Sequence, residues 1–219
     1  MVLISLPITF LFLRKYLTWP HNFLLQISRS FFLFFSTICF FYAISVISLA
    51  KALTLTFVAP IIVTILSALL LKEKVGIHRW LAVFVGFIGA LIVIQPGFIK
   101  INFASLASLA AGISYAFYII STRKLTSFDN PYMTLIFTGI FGAIIISFVV
   151  PFFWTMPNIN QWLLMIGLAA VGTFAHFCLI LSLNYAEASK LAPLGYFEIV
   201  NNILIGYYFF GDFPNKWLW

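Results

Sequence analysis

"KLAPLGYFEIVNNILIGYYFF", residues 190–210, is apolar enough and long enough to cross a membrane, yet Glu198, Asn201 and Asn202 sit near its middle. A crossing helix needs about 20 mostly apolar residues. A carboxylate at mid-membrane costs roughly 2.5–3.5 kcal/mol on insertion scales. The three polar residues lie three and four positions apart, so they share one helix face. That face is expected to point into a helix bundle. Two roles stay open for it. Glu198 with the two amides contacts a solute or couples a proton, or a neutral carboxylic acid hydrogen-bonds the amides and holds helices together.

The rest of the chain has the same oily character. Of its 219 residues, 63% are hydrophobic and 8% charged, and 27 are phenylalanine. Soluble domains run nearer roughly 45–50% apolar and about 25% charged. The apolar segments are too long for barrel strands, so the expected fold is all-α, a polytopic transmembrane helix bundle. The net charge of +7 does not indicate nucleic acid, because the basic residues are spread through short connections rather than gathered in one patch. Cys39 and Cys178 lie inside apolar runs and read as small buried hydrophobes. His21, His78 and His176 are far apart, and no HExxH, GxGD or serine-nucleophile motif accompanies them. No enzyme chemistry, metal or cofactor is expected.

Seven full spans are expected at 27–49, 52–71, 79–95, 103–122, 131–153, 161–184 and 190–211. "VLISLPITFLFLRK" before them is too short to cross and reads as a partial helix. No linker or low-complexity tract divides the chain, so one transmembrane domain is expected over 1–219. Alternate connections collect Arg14, Lys15, Arg29, Lys72, Lys74, Arg79, Arg123, Lys124 and Lys190, against Lys51, Lys100 and Lys216 on the other side. That bias places the first set in the cytoplasm. Pro60 is expected to kink the second span. Ala82, Gly86 and Ala90 form a small-residue stripe for close helix packing, and Gly139 and Gly142 are candidates for the same role.

At an offset of 139 the chain matches itself weakly. "SLAKALTLTF" (48–57) lies over "EASKLAPLGY" (187–196), with Lys51 on Lys190, Leu55 on Leu194, Phe57 on Tyr196, Glu73 on Asp212 and Trp80 on Trp219. The offset passes an odd number of spans, so the copies are expected to be inverted, an arrangement that places a solute site near the midplane. Lys51 and Lys190 are expected to snorkel. Glu73 and Asp212 are expected to meet helix termini or loop bases.

"ALTLTFVAPIIVTILSALLLKEKVGIHRWLAVFVGFIGALIVIQPG" and "NYAEASKLAPLGYFEIVNNILIGYYFFGDFPNKW" resemble the two repeat signatures of the EamA-type branch of the drug/metabolite transporter superfamily. The resemblance implies inverted five-helix repeats, a first repeat over 1–100 lacking its start and a second over 101–219 lacking its last helix. It implies a secondary transporter of a small metabolite working by alternating access, in a bacterial inner membrane. Relatives export amino acids or take up S-adenosylmethionine or riboflavin. The alternative is a non-transporting remnant or a fragment of a split carrier. Expected partners are the lipid bilayer and a small-molecule solute, with a homo-oligomer or a complementary fragment left open. Besides Glu198, Asn201 and Asn202, the candidate solute or proton groups are His176, whose imidazole changes charge in the physiological range, and Tyr42, Tyr115 and Tyr196, which can stack on a ring or donate a hydrogen bond. Packing and interface roles are the alternatives for each of these.

Overall fold

The structure, a computed structural model, describes residues 19–94, 102–205 and 208. The expected partial first helix, Lys100, Lys216, Asp212, Trp219 and the end of the last span lie outside the described residues. Helices account for the described segments in the order α1 (Phe23–Val46), α2 (Leu49–Thr56), α3 (Ala59–Leu70), α4 (Ile77–Ile94), α5 (Phe103–Leu125), α6 (Pro131–Phe153), α7 (Ile159–Tyr185), α8 (Ala188–Leu191), a 3₁₀ turn (Ala192–Tyr196) and α9 (Phe197–Ile205). Among the described residues, five helical stretches are long and apolar enough to cross a membrane, and Ile77–Ile92 is a shorter apolar one. The chain is a multi-pass membrane protein.

Local chemistry sets the helix boundaries. Pro131 opens α6, and the Asn130 side chain accepts from the Tyr132 N–H. A capping box opens α7, in which Asn158 and Gln161 satisfy each other's backbone N–H groups. The second expected span is kinked at Pro60, as expected, and the kink interrupts the helix. α2 ends at Thr56, two turn residues follow, and α3 begins with Pro60 in its first turn. Pro60 has no N–H to offer the Thr56 carbonyl four residues earlier. The last expected span is broken as well, at "APLGY". Its first half begins where that of the earlier span begins plus the offset, with Leu49 and Ala188 each opening a helix.

The described residues fall into two compact units. One comprises the chain up to Phe34 with Ser121–Ala186, and the other Phe35–Ile120 with the chain from Glu187. In the first, α6 packs along α7, with the Tyr132 and Phe177 rings 5.0 Å apart. At one end of this unit Asp129 accepts from the His21 N–H at 2.8 Å, and Arg123 donates to the Leu183 carbonyl at 2.6 Å. The connections that carry Arg123 and Lys124 and that precede α1 therefore share an end, as the charge bias requires. Arg29 is a correction to that bias. It lies in the second turn of α1 and is 0% exposed, so it belongs to the interior and eight basic residues remain on that side.

In the second unit two glycines permit close approach. A Cβ at Gly112 would lie 2.7 Å from the Thr56 carbonyl oxygen, at the break before Pro60. A Cβ at Gly86 would overlap Tyr196 Cδ2 and lie 2.8 Å from Cε2. The small-residue stripe thus seats an aromatic ring on α4. Gly86 and Ala90 are covered, whereas Ala82 is exposed. On α6, Gly139 is buried, while Gly142 has open space around its Cα.

Candidate functional site

Polar groups at membrane depth occur in both units. In the first unit they gather around Arg29. Its Nε donates to Thr122 Oγ1 at 2.7 Å and its Nη1 to the Thr134 carbonyl at 3.2 Å, with a further bond to Thr138 Oγ1. Gln26 donates to Asp129 Oδ2 at 2.9 Å and to Thr134 Oγ1 at 3.1 Å. Gln26 and Arg29 lie one helical turn apart, as do Thr134 and Thr138, so two polar faces meet. Gln26 Oε1 and Ser30 Oγ are buried in the same layer and make no hydrogen bond among the described residues. His176, half-buried in the middle of α7, lies within electrostatic reach of Arg29. Sequence reasoning found His176 and missed the rest. The available signal was "QISRS" between two apolar runs, a polar face on a helix rather than a connection.

In the second unit Tyr196 is buried. Its hydroxyl donates to the Phe57 carbonyl at 3.2 Å, and the two rings lie 5.9 Å apart. The chain break frees that carbonyl, because the Ile61 N–H, its helical partner, bonds Val58 instead. Tyr196 is thus committed to packing on its ring and its hydroxyl. Tyr115 stacks on the fully buried Tyr118 at 5.6 Å, and Tyr115 lies within electrostatic reach of Glu198. Tyr42 is exposed, near the end of α1, and meets the Phe103 ring edge-on at 5.6 Å. That is the position of an interfacial aromatic, away from the midplane.

Glu198 lies in the first turn of α9, ten residues after Ala188. At helical and 3₁₀ rises this is about 15–20 Å along the axis, half the thickness of a bilayer core. The buried positions of this stretch are Tyr196 and Ile199, whereas Glu198 and Asn201 are exposed. The surface of α9 that packs within this unit is the Tyr196–Ile199 face, and the Glu198–Asn201 face is left uncovered. Glu198 makes no hydrogen bond among the described residues. The Asn202 side chain lies outside them.

An all-helical, multi-pass fold with buried and exposed polar groups at membrane depth defines a helical-bundle membrane protein. The EamA-like transporter family matches the chain twice, over residues 1–95 and 102–219, and the chain belongs to that family. It is 32% identical over 177 residues to a riboflavin transporter of Vibrio cholerae, covering 77% of this chain and 57% of the relative. It is 27% identical over 191 residues to an S-adenosylmethionine uptake transporter of Rickettsia prowazekii, covering 87% of this chain and 65% of the relative. The chain thus spans 57–65% of the length of these two relatives. A solved crystal structure superposes with a TM-score of 0.83 at 17% identity, over 98% of this chain and 76% of that one, a likeness of fold alone.

Proposed function

We propose that the chain carries a small metabolite across a bacterial inner membrane by alternating access. The observation that carries this reading is the exposed Glu198–Asn201 face halfway along an apolar span. A carboxylate there is tolerated only beside water or protein. A hydrated central cavity supplies that environment, and transporters of inverted-repeat design place their solute there. Support for such repeats comes from the matching starts of the two broken helices, Leu49 and Ala188, and from Phe57 meeting Tyr196, 139 positions on.

The solute is narrowed by the relatives. Riboflavin and S-adenosylmethionine both contain a flat, nitrogen-rich ring system. Tyr115 supplies an aromatic surface within reach of a carboxylate, the pairing that recognises a ring with N–H donors or attached positive charge. S-adenosylmethionine is the leading solute, and riboflavin the next. A second reading is favoured by the fraction of the relatives that this chain spans. On it the Glu198 face is covered by another segment of a longer or split carrier.

The test is uptake of radiolabelled S-adenosylmethionine, riboflavin and amino acids into proteoliposomes holding the 219-residue chain, with Glu198→Gln alongside. Saturable uptake of one ring-bearing solute is expected. Uptake of none sinks transport by this chain by itself. Unchanged uptake by Glu198→Gln removes the carboxylate charge from the mechanism.

A further inference from the structure

The connection between α3 and α4 is fastened to the start of α8 by a compact set of polar contacts. Glu73 accepts from the Ala188 N–H and the Ser189 N–H, both at 3.0 Å, and from Ser189 Oγ at 2.7 Å. Arg79, in the first turn of α4, donates to Glu187 Oε2 at 2.6 Å and to Ser189 Oγ at 2.7 Å. Lys190 approaches the same Glu187 oxygen at 3.6 Å. The groups form one network, since Ser189 bonds both Glu73 and Arg79. Two free N–H groups of the helix start are consumed by a carboxylate more than 100 positions away in sequence.

The geometry points to an ionic latch in which Glu73, Arg79, Glu187 and Ser189 hold the start of α8 against the α3–α4 connection and close the basic-residue end of this unit. Two observations carry the proposal. The contacts tie a broken helix, the kind of element that moves in alternating access, to a neighbouring connection rather than to its own helix. The network is buried at Ser189 but open at its ion pair, with the Arg79 and Glu187 side chains 24% and 34% exposed, so water can replace the Arg79–Glu187 contact when it opens. The structure shows the latch formed at the basic-residue end.

The gating role rests on the transport reading above, but the latch is read out without transport. Ser67 is fully buried in α3, and its carbonyl accepts from the Glu73 N–H at 3.1 Å, so a cysteine there lies directly beneath the latch. With Cys39 and Cys178 replaced by serine, Ser67→Cys is labelled by a membrane-impermeant thiol reagent added to either face of reconstituted vesicles. Arg79→Ala and Glu73→Gln are each expected to raise labelling from the basic-residue face about fivefold, the low end of the roughly 5–150-fold span of two-state couplings. Labelling from the other face should stay unchanged. The exchanged pair Arg79→Glu with Glu187→Arg is expected to return labelling toward the starting rate. Circular dichroism and size-exclusion profiles select the variants that fold. Unchanged labelling in folded Glu73→Gln and Arg79→Ala overturns the latch, and so does an equal rise from both faces, which is general loosening. If no solute is transported while labelling responds as expected, the latch stands and the transport reading falls.

Discussion

Two polar networks organise this protein, and they differ in depth more than in composition. The Arg29 network is sealed. Gln26 and Arg29 are fully buried, and their partners Thr122, Thr134 and Thr138 are buried with them. The Glu73–Arg79–Glu187–Ser189 network is half open to solvent at the end of the helices. Both use a guanidinium and hydroxyls. In the sealed network a lost contact leaves a group with nowhere to turn, and in the open one water takes its place. The first is a device for permanence and the second for reversibility.

The largest expected effect follows from the sealed side. Arg29→Ala should lower stability by at least about 3 kcal/mol, since hydrogen bonds to charged groups contribute about 1.5–3 kcal/mol each. Thermal unfolding in detergent measures it. Arg29→Lys, which keeps the charge but not the planar fork, should fall between. Next is Gly86→Ala, whose Cβ collides with the Tyr196 ring and should cost about 1–3 kcal/mol. In a double-mutant cycle that cost should vanish with Tyr196→Ala. Retention of the cost would place the strain elsewhere. Tyr196→Phe removes only the hydroxyl bond to Phe57 and should cost about 0.5–1.5 kcal/mol.

The smallest expected stability effect is at the open network, where Arg79→Ala should cost less than about 1 kcal/mol. The ordering fails if Arg79→Ala proves as damaging as Arg29→Ala. Acid offers a finer probe. The Arg79 guanidinium, hydrogen-bonded to Glu187, holds that carboxyl below its ordinary range. A carboxyl with a depressed pKa stabilises the contact above its ordinary pKa, and the contribution is lost as pH falls through the depressed value. Because the thiolate fraction falls with pH in every variant, the readout is a ratio at each pH: the excess labelling of Ser67→Cys with Arg79→Ala over Ser67→Cys alone should shrink toward one on acidification below the usual carboxylate range.

Sequence alone revealed most of the fold, because each expected span is an apolar run bounded by turn chemistry. Pro60 announced the first break and Glu73 its role at a helix terminus. The expected span starting at 27 began four residues late for an identifiable reason. Arg29 reads in sequence as a connection residue, and a charge in an apolar run gives no hint that Thr122, Thr134 and Thr138 lie ready to receive it from two other helices. The candidate site was less legible. Glu198, Asn201 and His176 were found by their cost in a membrane. Which of them face neighbours depends on which side of α9 carries Tyr196, and a short helix with polar residues on one side does not declare that. Tyr196 and Tyr42 looked equivalent in the sequence, yet one fastens a chain break and the other lies at a helix end.

The meeting of Phe57 with Tyr196 has a geometric consequence. On the repeat reading, any rotation that exchanges the two halves must carry this contact onto itself. A carrier that reverses its facing by swapping the conformations of its halves therefore keeps a fulcrum here, with the same separation on each side of the cycle. A covalent staple between positions 57 and 196 should leave the swing intact, whereas one between 73 and 189 should arrest it.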